Sequence, residues 1–150
     1  MSNEMPNPGS KAAIEQGCTR AYGGEYKGHC PLESQEQAAF VDYLRKVYPR
    51  TYGAIVIHIK NEGKKTFGQA AYDKKHGQTK GASDIVIPGN PSFCLELKRR
   101  DRAKSKFSHE QETYLIKASE NGAFACVAYG YDAAIEAFKD WLNGSNQSKN

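Results

Sequence analysis

The sequence predicts an α/β sandwich, with helices flanking a mixed sheet of about four strands. Stretches of helical and strand period alternate in the order helix, strand, short helix, hairpin, helix, strand, helix. Pro88-Gly89-Asn90-Pro91 is a dense turn signal between two apolar runs, Ile85-Val86-Ile87 and Phe93-Cys94-Leu95-Glu96-Leu97. At 150 residues, 39% hydrophobic and 25% charged, the chain is long and apolar enough for one globular domain with a real core.

Residues 1–30 show no sustained period and carry Pro6, Pro8, Gly9 and a Tyr/Gly-rich piece, so an irregular or flexible segment is expected there. Tyr22 and Tyr26 could stack on bases, although packing on the domain surface is the more ordinary fate of isolated tyrosines. The ordered domain is expected over 31–143. Its first helix, Pro31 to Tyr48, places Gln37, Phe40, Val41, Leu44 and Tyr48 on one stripe. The start is open between Pro31 at the first helical position and a Ser34/Gln37 capping box.

Tyr52 to Lys60 reads as a strand, with His58 a packed or hydrogen-bonded imidazole. Asn61-Glu62-Gly63-Lys64-Lys65 reads as a turn, and a short helical pattern lies between Phe67 and Gln78. After the hairpin, Ser108 and Gln111 form a capping box opening a helix that stops near Asn121-Gly122. Ala123 to Gly130 is a buried strand, and Tyr131 to Leu142 closes the domain with Ile135, Phe138, Trp141 and Leu142 inward. Residues 144–150 read as a polar tail.

No apolar run approaches bilayer-spanning length and the polar start has no signal-peptide pattern, so a cytoplasmic protein with no membrane partner is expected. The cysteines Cys18, Cys30, Cys94 and Cys126 form no C-x-x-C pair, and reduced thiols are expected. Cys18, His29 and Cys30 match zinc-ligand spacing poorly. Charge is more informative. Between Lys98 and Lys106, six basic side chains against Asp101 give +5, which leaves the rest of the +4 chain at −1. Such a concentrated basic run beside carboxylates favours a phosphate-bearing partner, nucleic acid first.

Those carboxylates are Asp84 and Glu96. If the hairpin tip is centred on Asn90, they face each other with Cβ atoms roughly 5 Å apart. Ionised, they would repel by about 3 kcal/mol at an effective dielectric near 20. Either one is protonated or a cation sits between them, and oxygen ligands suit Mg²⁺ or Mn²⁺. Glu96 and Lys98 as the solvated face of an antiparallel strand is an equally weighted reading of the spacing. Glu33 and Glu36, near a helix N-terminus, are explained by the helix dipole on local grounds.

Asp84, followed after eleven residues by Glu96-Leu97-Lys98, resembles the D-(x)n-E-x-K core of the PD-(D/E)xK nuclease superfamily. Four further stretches narrow the resemblance to the virus-type replication-repair nuclease (VRR-NUC) domain. They are Glu33-Ser34-Gln35-Glu36-Gln37, His58-Ile59-Lys60-Asn61-Glu62-Gly63, Gly77-Gln78-Thr79-Lys80-Gly81-Ala82-Ser83-Asp84, and Ser108-His109-Glu110-Gln111. Ser83 stands where the family usually has proline, a residue that shapes backbone and ligates nothing.

The resemblance implies a restriction-endonuclease-like core and metal-dependent phosphodiester hydrolysis. It assigns Mg²⁺ or Mn²⁺ to Asp84, Glu96, the Leu97 carbonyl and Glu33, with Glu36 the fallback. It gives Lys98 the attacking water and Gln111 a supporting role. Lys80, Arg99, Arg100, Arg102, Lys104 and Lys106 are the expected DNA-binding set. Short members resemble Holliday-junction resolvases, which implies a homodimer acting on branched DNA in a bacterial or phage-infected cell. Competing expectations are a non-cleaving DNA-binding module and a restriction-type enzyme on linear duplex.

Overall fold

The computed structural model describes residues 19–60 and 65–147. A five-stranded mixed sheet runs in the order β1-β5-β4-β3-β2. Its strands are β1 (Arg20–Gly23), β2 (Ile57–His58), β3 (Ile85–Ile87), β4 (Phe93–Lys98) and β5 (Phe124–Tyr129). The helices are α1 (Glu33–Val47), α2 (Tyr52–Ile55), α3 (Phe67–Lys75), α4 (His109–Glu120) and α5 (Tyr131–Gln147). β1, β5 and β4 are mutually parallel, whereas β3 and β2 run antiparallel to their neighbours. No helix among the described residues is long and apolar enough to cross a membrane.

Every residue of β4 is buried, because this central strand is covered on both faces. Ile85, Ile87, Phe93, Leu95 and Leu97 face α1 and α5, where Phe40, Leu44, Phe138 and Trp141 complete the core. Trp141 donates from Nε1 to the Pro91 carbonyl at 2.9 Å and so ties α5 to the hairpin turn. The opposite face carries Asp84, Cys94, Glu96 and Lys98 towards α4. Strand alternation thus separates an aromatic core from a charged site across one sheet.

Several elements differ from expectation. Part of the segment expected to be irregular forms β1, which pairs Arg20 to Gly23 with Cys126 to Tyr129. Tyr22 does not present its ring for stacking on bases; its hydroxyl donates to Asp140 Oδ2 at 2.8 Å and anchors β1 to α5. The strand expected over Tyr52 to Lys60 shrinks to Ile57–His58 behind a short helix. Tyr52 is drawn into a ring cluster with Tyr48, Phe138 and Trp141. A Cβ on Gly53 would lie 2.5 Å from the Leu44 carbonyl, so the chain crosses α1 too closely to stay extended. Tertiary packing overrides the β-branched preference of the run.

α1 starts in neither expected way. Leu32 occupies the cap position, and Gln35 accepts the Leu32 N–H at 2.8 Å. α5 continues to Gln147, into the stretch expected as a tail. Cys30, Cys94 and Cys126 are free thiols. Cys18 and all but Lys65 of the turn expected at Asn61 to Lys65 lie outside the described residues.

Candidate metal centre

The β3–β4 register pairs Ile85 with Leu95 and Ile87 with Phe93, and one further step sets Asp84 opposite Glu96. Both are buried, with Asp84 at 6% exposure and Glu96 at 0%. Glu33 reaches them from the first turn of α1. One carboxylate oxygen from each of Glu33, Asp84 and Glu96 lies within 4.8 Å of the others. The solvated-face reading of Glu96 and Lys98 fails on burial, since Lys98 is only 3% exposed.

The chain holds these groups through specific bonds. The Leu97 N–H donates to Asp84 Oδ2 at 3.0 Å, fastening the carboxylate to the neighbouring strand. Gln111 Nε2 donates to Glu96 Oε1 at 2.9 Å. The Gln111 carbonyl oxygen accepts from the Ser108 N–H at 2.9 Å and from Lys98 Nζ at 3.2 Å. One amide therefore caps α4 and orients Glu96 and Lys98 together. Lys98 Nζ also donates to the Lys106 carbonyl at 2.9 Å and lies 3.4 Å from Glu96 Oε1. Gly81 brings the strand entry against α4. At a φ of +82°, an added Cβ would sit 2.4 Å from the Glu110 carbonyl carbon.

This arrangement leaves Glu96 Oε2 buried without a hydrogen-bond partner. Burial first, and the Asp84 carboxylate second, push the Glu96 carboxyl well above its ordinary range. Burial also raises Asp84 against the opposing effect of the Leu97 N–H, and it raises Glu33. Three carboxylates that resist ionisation together and one orphaned oxygen fit a hard divalent cation, which would restore their charged forms. All-oxygen donors match Mg²⁺ or Mn²⁺ better than a thiolate-seeking metal.

Glu36, the fallback ligand, is not part of this carboxylate group. Glu36 Oε2 accepts the Tyr131 N–H at the start of α5, and Oε1 lies 3.8 Å from Arg100 Nε. The basic run is also less free than its charge suggests. Arg99 donates to the Pro31 carbonyl at 3.0 Å and the Cys30 carbonyl at 2.9 Å. Arg100 pairs with Asp132 at 3.0 Å. These two members of the expected DNA-binding set carry internal ties as well. Arg102, Lys104 and Lys106 are exposed, although Lys104 Nζ donates to the Gly28 carbonyl at 2.8 Å. Lys80 is exposed beside Glu110 at 3.3 Å.

Two features escaped the sequence reading. His58 is exposed on the edge strand rather than packed, near enough to Asp84 for its charge to lower that carboxyl slightly. It borders a groove of about 620 Å³ with Ser34, Gln37, Val41 and Arg45. The other is a strap, Gly28 to Pro31, lying along the basic run and leading directly into Glu33. Asp101 Oδ2 accepts the Gly28 N–H at 3.0 Å and closes the strap from below. The partners in the strap are backbone groups, which leave no residue-type signal.

The fold and site together define a mixed-sheet domain with a carboxylate trio, two of its members buried, an amide and an ammonium at one end of its central hairpin. No family model matches the chain, and no curated protein matches it. Among solved structures, a VRR_NUC domain protein superposes with a TM-score of 0.63 at 20% identity, covering 79% of this chain and 92% of that one. The chain has the VRR-NUC fold, a restriction-endonuclease-like architecture.

Proposed function

We propose that the protein is a Mg²⁺- or Mn²⁺-dependent endonuclease that hydrolyses phosphodiester bonds in branched DNA, four-way junctions foremost. The carrying observation is the divided environment of Glu96. Its Oε1 is held by Gln111 and flanked by Lys98, while its buried Oε2 has no partner in the pocket shared with Asp84 and Glu33. Asp84, Glu96, Glu33 and the Leu97 carbonyl would hold the ion. When bound, it supplies Lewis-acid polarisation of the phosphate and a lower pKa for the attacking water. Lys98 orients that water and offsets the charge that builds on the phosphoryl oxygens. Gln111 keeps Lys98 and Glu96 in register as that charge develops.

A four-way junction presents two equivalent strands, so paired cutting calls for two sites, and we infer a homodimer. Shape and phosphate contacts carry recognition in this reading. A cytoplasmic setting in a bacterial or phage-infected cell suits its free thiols.

The test is incubation with end-labelled junctions, flaps and linear duplex in Mg²⁺ or EDTA. Wild type should nick junctions symmetrically in Mg²⁺ alone. Lys98→Ala should bind junctions nearly normally and cut roughly 10²- to 10³-fold more slowly. Cleavage surviving both Lys98→Ala and Asp84→Ala would sink the site. Binding without cleavage in either metal makes the chain a DNA-binding module, and cutting at one recurrent sequence of linear duplex makes it a restriction-type enzyme.

A further inference from the structure

Helix α3 is unexplained by folding. It buries none of its residues, and its Phe67 is 93% exposed, the most exposed large hydrophobic side chain among the described residues. A scattered apolar side chain on a surface is ordinary. A helix contributing nothing to the core, with a bare aromatic ring, is not.

Its two faces are unlike. At 3.6 residues per turn, Phe67, Ala71 and Lys74 form one stripe, with Lys75 on its flank. The other side is tied to the helix's own flanks. Gln69 Nε2 donates to Asp73 Oδ1 at 2.8 Å, and Lys65 Nζ reaches Asp73 at 2.6 Å and Gln78 at 2.8 Å. The excursion carrying α3 is rooted at the acid cluster. The Ile59 N–H donates to the Asp84 carbonyl at 2.7 Å, and Gln78 Nε2 donates to the Lys60 carbonyl at 3.4 Å. Nine residues make α3 about 14 Å long, close to four base-pair steps.

We propose that this outward stripe is a second DNA contact. Phe67 stacks on an unpaired base at a branch while Lys74 and Lys75 hold the flanking phosphates. The proposal rests on the nuclease reading for its partner and adds what sets branched DNA apart from duplex. Charge argues for this occupant over a second copy of the chain. A two-fold contact would gather the lysines of two stripes with no carboxylate on either, whereas a polyanion meets them as counterions. The ring then does what a lysine cannot, since stacking rewards a base that has left the helix.

The test measures binding in EDTA to a four-way junction and a matched linear duplex, each with 2-aminopurine at the branch or its equivalent. Wild type should change the junction's emission. Phe67→Ala should abolish that change and weaken junction binding about tenfold, leaving duplex binding unaltered and Phe67→Trp active. Lys74→Gln with Lys75→Gln should weaken both DNAs and reduce the log-log salt slope by roughly 1.8. Phe67 is almost wholly exposed, so its variants should fold as wild type. Unchanged junction binding by Phe67→Ala, equal loss on both DNAs, or conversion of a dimer to a monomer would overturn the stripe. If Mg²⁺-dependent junction cleavage persists beside any of these, the stripe alone falls. If wild type binds neither DNA, the nuclease reading falls with it.

Discussion

Glu96 and Arg99 sit three residues apart, one in the acid cluster and one in the basic run, and folding treats their charges in opposite ways. Glu96 is fully buried with one oxygen bonded and the other left without a donor among two further carboxylates. Arg99 spends its guanidinium on the carbonyls of Cys30 and Pro31. Among the described residues Lys98 is the ammonium that meets the acid cluster, and it is shared among Glu96 Oε1, Gln111 and the Lys106 carbonyl. Arg99 is satisfied from within, while Arg100 pairs with Asp132 and leaves its buried Nε, 3.8 Å from Glu36 Oε1, without a hydrogen bond. The first arginines of the basic run are framework, and the framework ends on Glu33.

The sharpest way to break this contrast is to compare the two glutamates of α1, one turn apart. Glu33→Gln should weaken Mn²⁺ binding by at least about tenfold, read by calorimetry. It should leave the metal-free melting temperature unchanged or slightly higher, because it removes repulsion with Asp84. Glu36→Gln should do the reverse. Its carboxylate is buried against the Tyr131 N–H and Arg100, so the loss is about 1–3 kcal/mol of stability, with Mn²⁺ affinity retained. At about 2–4 °C per kcal/mol this is several degrees. Equal loss of Mn²⁺ affinity in both variants would put Glu36 back in the site.

A smaller effect should appear with pH. Glu96, Asp84 and Glu33 all titrate above their ordinary values in the folded protein. The folded state therefore holds more protons than the unfolded chain in that window, and stability falls as pH rises. Metal-free protein should melt progressively lower as pH climbs from its ordinary glutamate value of 4.5 through the raised ones. Asp101 acts in the opposite sense, at pH values near and below its ordinary 3.8, because the Gly28 and Ala103 N–H groups lower it. Saturating Mg²⁺ should flatten the decline. A melting temperature rising across the same window in EDTA would show that the three carboxylates are not clustered as the structure has them.

Much of the hairpin was legible because spacing and strand alternation convert directly into geometry. Once Asn90 marks the tip, Asp84 and Glu96 must face each other and Lys98 must share their side. Ser108 and Gln111 were legible for a similar reason, since a capping box is a local bond between fixed positions. Tyr52 to Lys60 was misread because its β-branched residues describe a preference, while Tyr52 and Gly53 answer to the aromatic core and α1. β1 offered four residues and no alternation. The partners of Arg99 are main-chain carbonyls, which every residue possesses, so a charge run could announce nucleic acid but not its own internal ties.

The smallest expected effect is the most specific to those ties. Arg99 holds the strap two residues before Glu33, so Arg99→Ala should loosen the third carboxylate without touching the cluster. We expect Mn²⁺ affinity to fall by less than in Glu33→Gln and the log-log salt slope of DNA binding to stay constant. The triple variant Arg102→Gln, Lys104→Gln, Lys106→Gln should do the opposite, with metal affinity intact and a slope reduced by up to about 2.7. A changed slope in Arg99→Ala would mean that its guanidinium leaves the Cys30 and Pro31 carbonyls for phosphate. The contrast between a satisfied Arg99 and an unsatisfied Glu96 would then hold only in the absence of DNA.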